Sequence, residues 1–147
     1  MARAYESYYK AFKKTCHVQL RLEFVALKRQ SVPRVDSLVE AMFVAELKHR
    51  LLTAGHDLAA IRGSVRVGVA AGDMMMADEE GVICSVLYGP DRRTRITPST
   101  RDVFFAVYAP AGIGRGAVRD HPQDLQANVQ LIAPAAQMET LEVHGGE

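Results

Sequence analysis

DMMMADEEGVICSVLYGPDRRTRITPSTRDVFFAVY, residues Asp73 to Tyr108, is the stretch whose reading decides the fold. Met74–Met76 is a short apolar run. Asp78-Glu79-Glu80-Gly81 is a polar break ending in glycine. Val82–Tyr88 is a second apolar run, rich in β-branched and aromatic residues, and Val103–Tyr108 is a third. Runs this short, bounded by Gly, Pro and Asp, suit buried strands better than helices. The longest connecting loop carries Arg92, Arg93 and Arg95, interleaved with Thr94, Thr97, Ser99 and Thr100. Cations flanked by hydroxyls are what phosphate binding uses, and a lone Arg-rich turn is a weak form of that signal.

Working outward, Ser64–Ala70 alternates with Val65, Val67 and Val69 on one face, which predicts a half-buried strand. Leu51–Asp57 reads as a connector hinged at Gly55, with Asp57 capping a short turn that Gly63 ends. Asp36–His49 is the clearest helix: Asp36 is placed to cap it, Val39, Met42, Phe43 and Leu47 recur at three and four, and Glu40 and Glu46 fall off that stripe. Tyr5–Lys14 reads as a helix through Tyr5, Tyr8, Tyr9 and Phe12. Val18–Arg29 fits a strand through Val18, Leu20, Leu22 and Phe24 or a helix through Val18, Leu22, Val25 and Arg29, and is read as a helix because no turn signal interrupts it before Pro33 ends it. After Tyr108, APAGIGRG is a loop, Pro122–Ala133 an amphipathic helix stopped by Pro134, Met138–Val143 a last short strand, and HGGE a frayed tail. The expectation is one α/β (α+β) domain over 1–147, a mixed sheet with packed helices. Its parts are a basic helical segment over 1–33, a core over 34–110, and a C-terminal helix and tail over 111–147.

With 48% hydrophobic and 24% charged residues in 147, the composition is globular rather than disordered. No apolar run reaches the roughly 18 residues of a spanning helix, so no membrane partner is expected. Cys16 and Cys84 form no CxxC and the start carries no apolar leader, which points to reduced thiols in a cytoplasmic protein. Net charge is +1, yet residues 1–34 hold eight Lys/Arg against Glu6 and Glu23, so the rest is acidic on balance. That asymmetry suits an anionic partner at the N-terminal segment, and equally a solvated helical face.

Other motifs carry less. Gly112-Ile113-Gly114-Arg115-Gly116-Ala117 fits the relaxed dinucleotide pattern GxGxxA, but the pattern needs a long helix opening there, and Pro122 cuts the polar residues after it. His17, His49, His56, His121 and His144 show no metal-ligand spacing, so no metal and no cofactor are expected. Ser85 and Cys84 read as packing, and Met74–Met76 as adaptable filler. Asp78, Glu79 and Glu80 are a solvated turn, or a carboxylate cluster able to divide acid and base roles.

The spacing of these elements resembles a known family, the B3/B4 domain of the phenylalanyl-tRNA synthetase β subunit as it occurs in stand-alone proteins. That family reads SINPxVDxxNxxxxELGxPxHAFDL, and here RVDSLVEAMFVAELKHRLLTAGHDL runs from Arg34 to Leu58. Downstream it reads LVIADxxxPLALAGIMGGExSGVxxxTxxVLLE. Here Ala77-Asp78 align with AD, Thr100 with the T, and Val103-Phe104-Phe105 with VLL. The resemblance spans roughly residues 5 to 110. It implies a module that binds the charged 3′ end of tRNA and hydrolyses a misplaced aminoacyl ester, with tRNA rather than DNA as the nucleic-acid partner. Three departures stand against direct transfer. The family's histidine falls at Ala54, its glutamate falls near Arg92, and the hairpin usual between Val67 and Gly72 is missing.

Carried onto this chain, the resemblance implies that Arg92, Arg93 and Arg95, with Thr94, Thr97 and Thr100, hold RNA phosphates. His56, two residues past Ala54, or Asp78 then orients the water. The alternatives are a catalytically inactive module of the same fold that binds RNA or an amino-acid-like small molecule, and a protein-interaction domain. Oligomeric state is open.

Overall fold

A computed structural model describes residues 2–16 and 36–145. The expected Val18–Arg29 helix and its Pro33 stop lie outside the described residues. The architecture is α+β. Among the described residues three α-helices, α1 (Ala2–Ala11), α2 (Ser37–His49) and α3 (Arg115–Ile132), pack with two antiparallel sheets. Six strands are numbered in chain order: β1 (Leu52–Asp57), β2 (Arg66–Ala70), β3 (Asp73–Ala77), β4 (Val82–Ser85), β5 (Gly89–Pro90) and β6 (Val103–Tyr108). The strands, expected in one mixed sheet, divide into a β1–β6 pair and a β2-β3-β4-β5 meander.

Local chemistry sets several boundaries. The Asp36 carboxylate accepts from the Leu38 backbone N–H at 2.9 Å and starts α2, as its position ahead of the apolar periodicity suggests. Asp57 does the same for Ala59 at 3.0 Å and starts a single 3₁₀ turn, Leu58–Ala60. A three-residue turn at 86–88 joins β4 to β5 and closes on Gly89 at φ 72°, where a side chain would be strained. The second apolar run therefore stays a strand only as far as Ser85.

Several readings change. Leu51–Asp57 is not a connector: from Leu52 it is a buried strand, paired with β6 from Leu52↔Tyr108 to Asp57↔Val103. Its other edge meets the arginine loop, where the Asp57 N–H donates to the Thr94 carbonyl at 2.8 Å and His56 bridges Arg95. Gly55 is not a hinge. A Cβ there would lie 2.6 Å from Ile96 Cδ1 and 3.1 Å from Phe105 Cε1, so the glycine admits close packing on both sides. Glu46 is fully buried rather than off the packed face of α2. Strand β2 is exposed along all five residues instead of half-buried. Helix α3 starts at Arg115 and runs through Pro122, held to the core by buried His121 and Leu125. Met138–Val143 forms no strand.

Helix α1 ties the two sheets together. The Tyr5 hydroxyl, buried, donates to the Tyr108 carbonyl of β6 and accepts from the Leu52 N–H of β1. Tyr8 donates to Asp73 Oδ1 at 2.7 Å and accepts from the Met74 N–H in β3, and Tyr9 donates to the Val86 carbonyl. Buried Tyr5 and Tyr9 thus carry satisfied polar tips into the main core, which includes Ile83, Cys84 and Ala106, and half-buried Tyr8 packs against it. Desolvation pushes the Tyr8 phenol up to about 12 and holds Tyr5 and Tyr9 higher still. A second cluster, with Met42, Ala45 and Leu125 at its centre, seals α2 against α3.

Candidate functional site

The β3–β4 turn and the arginine loop meet at one carboxylate. Asp78 is 1% exposed. Its Oδ1 accepts from the Glu80 and Gly81 N–H groups at 2.9 and 3.1 Å, and its Oδ2 from the Arg62 N–H at 2.8 Å. Arg93 then closes on both oxygens, Nη2 to Oδ1 at 2.8 Å and Nη1 to Oδ2 at 3.0 Å. The Arg93 guanidinium, aided by those backbone donors and opposed by burial, holds the Asp78 carboxyl well below the usual range. Five donors leave this carboxylate no free lone pair with which to orient water. Arg93 also donates to the Ala60 carbonyl and pairs with Glu80, so its fork is spent on protein.

The other residues singled out by sequence divide into frame and surface. His56 and Thr94, both 0% exposed, bond to each other, Nδ1 to Oγ1 at 2.9 Å. Among the described residues His56 Nε2 has no hydrogen-bond partner, and burial lowers the imidazole pKa to about 4, so it stays neutral near pH 7. Thr100 is buried. It donates to Asp57 Oδ2 at 2.9 Å and accepts from the Thr97 N–H at 3.0 Å. Asp78, Arg93, Thr94, Thr100 and His56 therefore brace the loop against β1 and the β3–β4 turn. Arg92, Arg95 and Thr97 are exposed.

Arg92 is the one that reaches a hollow. A cavity of about 540 Å³ opens between the end of α1, the β2–β3 turn and the β4–β5 hairpin. Phe12, Met75, Ile83 and Leu87 give it an apolar lining, and Asp73, Asp91 and Arg92 add charge. Tyr88 stands at this cavity 75% exposed, with Lys14 Nζ 3.9 Å from its ring centroid. Cys84 also lines it, but burial raises the thiol pKa and Sγ is bonded to the Tyr108 hydroxyl, so it is no thiolate nucleophile. Sequence reading did not single out Phe12, Lys14 or Tyr88 for this site. An aromatic just before Gly89-Pro90 was the one local signal, and its pairing with Lys14 is a long-range contact.

Two histidines do come together elsewhere. His121, fully buried, bonds to Thr53 Oγ1 at 2.9 Å, and its ring stacks edge-on to His49 at 5.4 Å. Burial, then proximity to His49, lowers the His121 pKa to about 4. His49 and Lys48 share Asp124 at 2.5 and 2.6 Å. Among the described residues no group of three or more ligands is arranged to hold a metal ion. The glycine pattern at 112–117 does follow a strand and open a long helix. That strand, however, belongs to an antiparallel pair rather than the parallel βαβ unit dinucleotide binding needs. Among the described residues no helix is long and apolar enough to cross a membrane. The chain matches no family model, no curated protein and no solved structure.

Proposed function

We propose that this chain binds the aminoacylated 3′ end of a tRNA without hydrolysing it, as an inactive relative of the B3/B4 module it resembles. The observation that carries this reading is the 540 Å³ cavity with Arg92 and Tyr88 both in its wall. That volume lies within the range of small-ligand sites. The exposed Tyr88 ring offers a face for a terminal base, and Arg92 and Lys14 supply cations for the phosphates beside it. Met75, Ile83 and Leu87 suit an apolar side chain.

An ester has no free carboxylate to place but does carry an α-ammonium, and Asp73 and Asp91 line the same cavity. Against hydrolysis stand the saturated Asp78 and the enclosed His56, since neither has a route to a positioned water.

Filter binding of acylated and uncharged tRNA over a salt series tests the reading. Tighter binding of the acylated form, weakening steeply with salt, is the expected result. Salt-insensitive binding of free amino acid alone refutes the RNA partner. Release of amino acid above background from a panel of mischarged tRNAs refutes the non-hydrolytic role.

A further inference from the structure

Strand β2 ends the four-stranded sheet and pairs only with β3, so its outer row of N–H and C=O groups is unpaired among the described residues. All five of its residues are exposed. Val67 and Val69 sit opposite Met76 and Met74, which pack on the main core. Directly opposed residues share a face, so the core-facing side of the sheet continues one strand past the core, where no described residue covers it. Val65, Val67 and Val69 are 37%, 55% and 69% exposed. Among the described residues the edge of β2 has little protection: no proline and no bulge, and a single charge, Arg66.

Residues 138–143 are the complementary piece. Leu141 and Val143 alternate at strand spacing and are 57% and 70% exposed, and among the described residues they join no ladder. Glu139 and Glu142 give the segment acidic charge opposite in sign to Arg66. One antiparallel register satisfies both faces. Leu141 opposite Val67 puts Val143 opposite Val65 on the bare apolar side, Glu142 opposite Arg66 on the other side, and Thr140 opposite Gly68. A Cβ at Gly68 would meet nothing within 4 Å, so the approach is open. A slip by one residue would set Leu141 on the polar face and Glu142 on the apolar one. The single mismatch is Glu139 opposite Val69, at the turn end of the ladder.

We infer that two copies of this chain associate by reciprocal strand exchange, segment 138–143 of each adding antiparallel to the β2 edge of the other. The association is isologous: each copy gives one strand and receives one. The two sheets become five-stranded, and the valine stripe loses its solvent.

Sedimentation or light scattering of the full-length chain over a concentration series tests this. The expected mass is twice the 16.2 kDa of one chain. Val67→Lys and Leu141→Lys change exposed side chains, so both variants keep the far-ultraviolet spectrum and both run as monomers. Arg66→Glu and Glu142→Arg each weaken dimerisation roughly tenfold, and the double reversal restores it. A wild-type monomer at every concentration overturns the inference. So does a dimer that survives Leu141→Lys but not Val67→Lys, which means that β2 pairs with itself, or one that survives both, which means a different surface.

Discussion

Arg93 grips Asp78 through both arms of its guanidinium, at 2.8 and 3.0 Å, across fifteen residues of sequence. The pair bolts the arginine loop to the β3–β4 turn. Arg93→Ala strands a buried carboxylate, and Arg93→Lys loses the fork that meets both oxygens. The expected fall in melting temperature is roughly 10 °C for alanine and somewhat less for lysine. Arg92→Ala, on the exposed neighbour, shifts it by about 2 °C or less. Differential scanning calorimetry of the three variants checks the contrast.

Binding separates the same neighbours in the opposite sense. Tyr88→Ala removes the stacking face and is expected to weaken tRNA affinity about tenfold. Arg92→Ala lowers the slope of log affinity against log salt by about one, the signature of a single lost phosphate contact. Equal slopes in Arg92→Ala and wild type would place the phosphates elsewhere.

Acid sensitivity arises from two enclosed imidazoles. His56 and His121 titrate near 4 in the folded chain against about 6.5 when unfolded. The unfolded chain takes up protons first, so their contribution is complete above pH 6.5 and is lost as pH falls from 6.5 towards 4. His56→Asn keeps a hydrogen-bonding partner for Thr94 and no longer titrates. It is expected to remove about half of the stability slope across that window, measured by denaturant unfolding at stepped pH. Asp78, held far below the ordinary carboxylate range, contributes a loss only below about pH 4.

Gly55 is a packing constraint on a buried strand, and that can be relieved from the other side. Gly55→Ala drives a methyl into Ile96 Cδ1 and is expected to destabilise by about 2 kcal/mol. Adding Ile96→Val deletes the obstructing atom, so Gly55→Ala/Ile96→Val should unfold at higher denaturant than Gly55→Ala alone.

The features legible in the sequence were those encoded by neighbours in the chain. Asp36 before an apolar periodicity marked α2, and Val103–Tyr108 marked β6 residue for residue. Strand β1 was hidden because Ala54-Gly55 at its middle are poor strand formers. Its conformation comes from β6 on one edge and Thr94-Arg95 on the other, neither visible from the segment itself. Pro122 suggested a break, yet tertiary anchoring of His121 and Leu125 carries α3 through it. For the site, the sequence displayed the cations but not their commitments. Nothing local shows that Arg93 is consumed by Asp78 while Arg92 is left at a cavity, or that Lys14 travels to Tyr88.

The tyrosine hooks on α1 have a consequence for synthesis. Tyr8, Tyr9 and Tyr5 find their partners 65, 77 and 103 residues further on. As a ribosome releases the chain in order, the helix emerges long before anything can receive it, and its last anchor arrives only with Tyr108. Until then the three phenol rings and Phe12 lack the strands that receive them. Docking of this first segment is thus a late event in the life of each new molecule.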